Sequence, residues 1–295
     1  MITDGGKQVA DFILSAFADE ASWELGGQIA ALQRNGLRHI EIRGVNGKGI
    51  LDLTEDELKD VRQKLDAGGI QVSAIGSPIG KIGIRDGWEE HQEAFVRALR
   101  AARMLGTKRI RMFSFYIPSG ESPEEYADEV CIRLNRLLDM AEAEGVICCH
   151  ENEKGIFGDR KDRTLYLHQR LGPRLKGVFD PANYIQCGER PGEIFDSLLP
   201  YLDYMHIKDA LSADGSVVPA GCGDGCLPEL IRKFYQPGSA RILSVEPHLT
   251  VFQGLENLQD EEVRHTYTYA SQGEAFDAAV NALKDILNEW GYSYE

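Results

Sequence analysis

Apolar residues fall along the chain in two alternating rhythms. Short dense runs, such as Phe12-Ile13-Leu14-Ser15-Ala16-Phe17 and His39-Ile40-Glu41-Ile42-Arg43, alternate with longer stretches in which Leu, Ile, Val and Ala recur three and four positions apart. The first rhythm predicts strands and the second amphipathic helices. Further strands are predicted over residues 70–75, 109–113, 146–149, 176–180, 204–208 and 242–246. A helix is predicted after each strand. Ile29, Leu32 and Leu37 mark the first. In the second, Thr54 stands as the cap, Glu57 follows three positions on, and Gly68-Gly69 ends it. The third covers about 89–105 and stops at Gly106. The fourth starts at Ser122-Pro123 and runs to Gly145, with Ser122 as cap and Pro123 in the first position. The remaining helices are placed at 164–171, 192–199, 228–234 and 273–290.

Eight strand-then-helix units imply parallel pairing, because parallel neighbours need a crossover between them. In a chain of 295 residues that repetition fits a closed (β/α)₈ TIM barrel built as one domain, residues 1–295. The rival is an open doubly wound sheet. No Gly-x-Gly-x-x-Gly follows the first strand, which removes the main support for its dinucleotide-binding form. The longest connection spans about 250–271.

Charge narrows the partners. The formal net charge is −15, which argues against nucleic acid, since a polyanion requires a basic footprint. Six cysteines occur without a Cys-x-x-Cys pair, and adjacent Cys148 and Cys149 should point to opposite faces of their strand. Reduced thiols in a cytoplasmic protein are the plain expectation. No signal sequence is apparent, and no apolar run approaches the ~20 residues of a membrane helix.

In a barrel the chemistry belongs at the carboxyl ends of the strands. Strand five runs into "HENEK" with Glu151, strand six into Asp180, strand seven carries His206, and strand eight ends at Glu246. Each has a plain reading alone: a solvated loop acid, a turn starter before Pro181, a core histidine. Together they sit on consecutive strands, and three carboxylates crowded in a low-dielectric pocket call for a cation. Two Glu, one Asp and one His suit one divalent metal ion: Mn, Mg, Co, Fe or Zn. Glu153 shares the parity of Glu151 and is its rival. His150 should point outward and be structural.

The motifs "FADE", "IEIRG", "HEN", "FDPANY", "HIKD", "PAGCGDG" and "SVEPH", in this order and at these strand ends, resemble the xylose isomerase-like TIM-barrel superfamily. The similarity is greatest to its ketose 3-epimerase and hydroxypyruvate isomerase-like branches. The resemblance implies that Glu151, Asp180, His206 and Glu246 are metal ligands. It implies that Glu151 and Glu246 also act as paired acid and base. The activity implied is isomerisation or epimerisation of a small sugar or sugar phosphate through a metal-stabilised enediolate. A dehydratase of the inosose type and a non-catalytic sugar-binding barrel are the alternatives. An endonuclease IV-like barrel is disfavoured by seven histidines and an acidic chain. A homo-oligomer is also implied. Asn183 stands where epimerases of the group often carry a substrate-contacting His. Lys208 shares the face of His206 and is either a substrate contact or a salt-bridge partner of Asp209 or Glu246. Glu41 and Arg43 share a face and form either an internal ion pair or a substrate contact. Arg111 is a further candidate, set deeper. The glycines of "AGCGDG" lack the Lys-Ser/Thr of a phosphate loop and fit a tight turn on the substrate side.

Overall fold

All eight predicted strands form, and they pair in parallel within one sheet of a computed structural model that describes residues 9–250 and 267–295. They are β1 (Phe12–Ala16), β2 (His39–Ile42), β3 (Gln71–Gly76), β4 (Arg109–Met112), β5 (Ile147–Glu151), β6 (Leu175–Phe179), β7 (Leu202–Ile207) and β8 (Arg241–Val245). The ladder runs β2-β3-β4-β5-β6-β7-β8-β1. Its end strands, β1 and β2, also pack side by side, which closes the ring into a (β/α)₈ barrel.

The helices are α1 (Leu25–Arg34), α2 (Glu55–Ala67), α3 (Trp88–Leu105), α4 (Ala127–Ala143), α5 (Lys161–Leu171), α6 (Pro181–Gln186), α7 (Pro191–Leu198), α8 (Leu227–Phe234) and α9 (Gln272–Glu289). In α2 the capping box forms in both directions between Thr54 and Glu57, and Leu58, Val61 and Leu65 are its buried stripe.

Period-two alternation divides each strand between two cores. Ala74, Cys149, Val178, Tyr204 and Ile242 form a small apolar cluster, with Ile13 and Ile147 packed against it, that fills the barrel. The opposite faces belong to the larger core under the helices, where Leu14, Ile40, Cys148 and Leu243 sit. Cys148 and Cys149 therefore do part to opposite faces, and all six thiols are free. The inward parity of 149, 178, 204 and 242 continues to 151, 180, 206 and 246. Register shifts at Ile40/Glu41 and Gly177/Val178 adjust the strands beside this line.

Three details depart from the sequence pattern. β5 continues to Glu151, because Glu151 still pairs with Val178 of β6. The helix expected from Ser122 is divided into a 3₁₀ turn (Pro123–Tyr126) and α4, and the Ser122 hydroxyl bonds to the Glu124 carboxylate rather than capping the backbone. Helix α6 has no counterpart in the pattern, being too short to show a period. The connection expected over 250–271 lies mostly outside the described residues. No helix among the described residues is long and apolar enough to cross a membrane.

Candidate metal centre

Four strand ends deliver four ligand-type side chains to one point. One ligand atom each from Glu151, Asp180, His206 and Glu246 lies within 4.8 Å of all the others. All four residues are buried, none more than 3% exposed. His206 Nδ1 lies 3.0 Å from Glu151 Oε1, and 3.8 Å from both Asp180 Oδ2 and Glu246 Oε2.

The local chain explains each placement. Glu151 is the last paired residue of β5. Asp180 follows β6 and caps α6: its Oδ1 accepts the Asn183 N–H at 2.9 Å, which leaves Oδ2 for the site. Asn152 grips the Asp180 backbone from both sides, donating to its carbonyl and accepting its N–H, each at 2.9 Å. His206 sits within β7, and Glu246 extends the ladder past β8 by donating its N–H to Ile207 O at 3.2 Å.

A ring of further contacts fixes the four. Arg111 Nη1 donates to Glu151 Oε2 at 2.6 Å, with both side chains buried. Asn183 Nδ2 donates to Glu151 Oε1 at 3.2 Å and to Asn152 O at 2.9 Å. Glu41 sits beneath His206 rather than at the mouth, with Oε2 3.2 Å from His206 Nε2 and Oε1 accepting the Tyr204 hydroxyl at 2.7 Å. The Phe17 ring meets the His206 ring edge-on at 5.2 Å, and the Arg43 guanidinium stacks 4.6 Å from the Phe17 centroid.

Charge is balanced here by side chains. Burial would lower the His206 pKa, but the carboxylates of Glu151 and Glu41 outweigh it and hold the imidazole well above its ordinary range. Burial would raise Glu246, but Lys208, the neighbouring histidines and Arg43 hold it well below the usual carboxylate range. Glu151 is likewise lowered against burial, by His206 and Arg111. Lys208 Nζ lies 2.8 Å from Glu246 Oε2 and 2.9 Å from Asp180 Oδ2. It is thus an ion-pair partner of Glu246, one of its expected alternatives, and of Asp180, which was not among them. Asp209 instead accepts the backbone N–H groups of Gly221, Gly223 and Gly225 at 2.9, 3.0 and 2.8 Å, which folds "AGCGDG" into a tight turn. Arg43 is held by Asp19 at 2.8 Å, and by Glu20 and Glu246 at 3.2 Å each.

A second ligand-type group, Glu20, Glu246 and His248, adjoins the first. His248 donates its backbone N–H to Glu20 Oε2 at 2.7 Å. Burial pushes Glu20 up to about 8, although Arg43 opposes the rise. Glu20 and Glu246 are already bridged by the Arg43 guanidinium.

The donor set can be tested against a metal. Asp180 is fully buried, and the Lys208 ammonium stands 2.9 Å from its Oδ2. Three carboxylates and one imidazole brought to one point are the oxygen-rich donor set of a divalent ion. The His206 Nε2–Glu41 contact is the carboxylate–histidine arrangement that turns the other ring nitrogen toward a metal. The residues therefore fit a divalent ion bound by three carboxylates and one imidazole.

Glu153 turns away to Lys81 at 2.9 Å, and His150 faces the helices, with Nε2 2.9 Å from Ser114 Oγ. Arg111, the candidate set deeper in its strand, reaches Glu151. Asp19, Glu20, Tyr204 and His248 were not singled out by sequence reasoning. Tyr204 and His248 stand two positions from His206 and Glu246, which was the available signal, whereas Asp19 and Glu20 lie in a 3₁₀ turn after β1 that alternation does not encode.

The profile of the family described as Xylose isomerase-like TIM barrel matches residues 29–269. A comparison with curated proteins finds no match. Among solved structures, the chain is similar to the IolI protein with a binding zinc atom, at 17% identity and a TM-score of 0.73, over 95% of this chain and 99% of that one. It is similar to the probable 3-DHS dehydratase AsbF involved in petrobactin synthesis from Bacillus anthracis, at 17% identity and a TM-score of 0.70, over 92% and 98%. It is also similar to L-ribulose 3-epimerase, at 16% identity and a TM-score of 0.70, over 96% and 97%. At these identities the likeness is one of fold.

Proposed function

The chain belongs to the xylose isomerase-like TIM-barrel family, and from that premise we propose that it is a divalent-metal-dependent isomerase or epimerase of a small sugar or sugar derivative. The observation that carries this reading is the gathering of one ligand atom each from Glu151, Asp180, His206 and Glu246 within 4.8 Å of one another, all four residues buried. A divalent cation held there supplies electrostatic stabilisation of the negative charge that develops on the substrate oxygens.

The chain's own residues do the rest. Glu151 and Glu246 stand at the two ends of the arc β5-β6-β7-β8, so they flank whatever lies over His206. Both are held ionised, the form that accepts a proton from carbon beside a carbonyl. One takes that proton. Returned by the same glutamate to the neighbouring atom, it gives the isomer. The epimer requires the other glutamate, ionised at rest, to take up a proton from solvent or a substrate hydroxyl and deliver it to the opposite face, while the first releases its own. Each such step contributes roughly 10²–10⁴-fold. Phe17 presents an apolar ring beside His206. Asn183 donates to Glu151 and orients it; it cannot itself exchange a proton.

The dehydratase among the structural neighbours supports a second reading, in which the same proton abstraction is followed by loss of a hydroxyl. One experiment separates the two. Ketoses, ketose phosphates and inososes are incubated with the protein and Mn²⁺ in D₂O. Deuterium at the carbon beside the carbonyl, without loss of mass as water, is expected for an isomerase or epimerase. A product lighter by one water identifies the dehydratase. Absence of exchange on every substrate, with no stoichiometric metal by elemental analysis, overturns the reading. Glu246→Gln should lower exchange at least a hundredfold.

A further inference from the structure

The proposed metal seat already holds a cation belonging to the chain. The Lys208 ammonium touches Asp180 Oδ2 at 2.9 Å and Glu246 Oε2 at 2.8 Å, the same two oxygens that stand 3.8 Å from His206 Nδ1. Its side chain is buried. We propose that Lys208 is an exchangeable counter-ion: its ammonium balances Asp180 and Glu246 when the divalent ion is absent and is expelled when the ion binds, so that this residue sets the metal affinity of the site. The inference rests on the metal reading above and adds a residue that tunes it.

Four observations carry it. First, an ammonium and a divalent cation cannot share the same two carboxylate oxygens without strong repulsion, so binding one requires the other to move. Second, Lys208 is held by a single ammonium that meets Asp180 Oδ2 at 2.9 Å and Glu246 Oε2 at 2.8 Å, a point charge without the planar fork that would fix its direction. Third, Lys208 lies two residues beyond His206 on the same face, one step nearer the mouth, and its flexible four-carbon stem can turn outward. The ammonium then becomes available to a substrate oxygen. Fourth, the neighbouring cation is built differently. Arg43 is forked onto Asp19 by two hydrogen bonds, from Nε at 2.8 Å and Nη2 at 3.1 Å, and also reaches Glu20 and Glu246. Glu246 thus stands between a fixed cation and a movable one, and exchange is confined to the Lys208 side.

The test is Mn²⁺ binding to the full chain after removal of metal by chelation, followed by calorimetry or chelator competition. Lys208→Met should bind Mn²⁺ at least tenfold more tightly than the wild type. Its metal-free form should lose thermal stability, and added Mn²⁺ should restore it. Lys208→Arg, which keeps the charge, should bind no more tightly than the wild type. If Lys208→Met does not fold, Lys208→Gln, which keeps a donor for Glu246 without the charge, provides the same comparison. Equal or weaker affinity in the neutral variant overturns the inference and leaves the metal reading intact. Failure of the wild type and of the neutral variant to take up Mn²⁺ overturns both.

Discussion

Glu41 Oε2 lies 3.2 Å from His206 Nε2, while Oε1 of the same carboxylate accepts the Tyr204 hydroxyl at 2.7 Å. All three side chains are buried inside the barrel. The pairing aims His206 Nδ1 toward Glu151, Asp180 and Glu246. Glu41 thus acts through the imidazole. Partners of this kind are worth roughly 10–100-fold in metal affinity. Glu41→Gln should weaken Mn²⁺ binding by that factor, and Tyr204→Phe by less than tenfold, both read by chelator competition. An unchanged affinity in Glu41→Gln would show that His206 is oriented by its packing alone.

Arg111 and Glu151 form a buried pair at 2.6 Å. Removing Arg111 leaves Glu151 Oε2 without its donor while His206 and Asn183 still serve Oε1, at a cost of about 1–3 kcal/mol. Arg111→Met should therefore lower unfolding stability by about that amount in urea titrations. The double variant Arg111→Met/Glu151→Gln should recover much of the loss, since neither charge is then left unpaired. Additive losses would show that the pair is not coupled.

The barrel and its four converging strand ends were legible because period-two alternation carries inward parity from the apolar cluster straight to the site: Cys149 to Glu151, Val178 to Asp180, Tyr204 to His206, Ile242 to Glu246. What alternation does not encode is reach across the barrel. Glu41 on β2 meets Tyr204 and His206 on β7, and Arg43 after β2 meets Glu246 after β8. These contacts depend on side-chain length and ring closure, which no local window contains. Helix α6 was missed because its six residues are too short to show a period, although Asp180 before Pro181 was a local cap signal. Lys208 had the right parity, but spacing could not choose between a salt bridge and a substrate contact.

The turn after β7 depends on Asp209. Its two oxygens collect the N–H groups of Gly221, Gly223 and Gly225, and a Cβ added at Gly223 would lie 2.4 Å from Asp209 Oδ1 and 2.5 Å from the Ala210 carbonyl oxygen. The second of these is backbone and cannot swing aside. Gly223→Ala should lower stability by about 2–4 kcal/mol, in the range of a broken charged hydrogen bond plus strain. Asp209→Ala should cost at least as much. Chemical denaturation checks both, and a loss under 1 kcal/mol in either would show that the turn holds itself.

Three buried histidines away from the site make stability depend on pH with a defined sign. Burial, with the Arg133 charge adding, lowers His91 to about 4, and its Nε2 accepts the Gly80 N–H at 2.9 Å. Burial lowers His168 to about 4. Burial, with His168 nearby, lowers His150 to about 3. The Gly158 N–H donates to Ser114 Oγ at 2.8 Å, which leaves the Ser114 hydroxyl to donate to His150 Nε2. All three rings are thus neutral in the folded chain, whereas in the unfolded chain they take up protons near 6.5. Below that pH the unfolded state binds more protons, so their contribution is complete above about 6.5 and is lost as pH falls toward 4 and then 3. Each ring contributes a slope of up to about 1.4 kcal/mol per pH unit within its window. Urea midpoints should fall from about pH 6 down to 4.5, the three rings together outweighing Glu20, which is raised to about 8 and offsets about one ring's share with the opposite sign. His91→Gln, which can still accept the Gly80 N–H, should flatten the decline by one ring's share. An identical pH profile in His91→Gln would show that the acid sensitivity comes from the carboxylate networks instead.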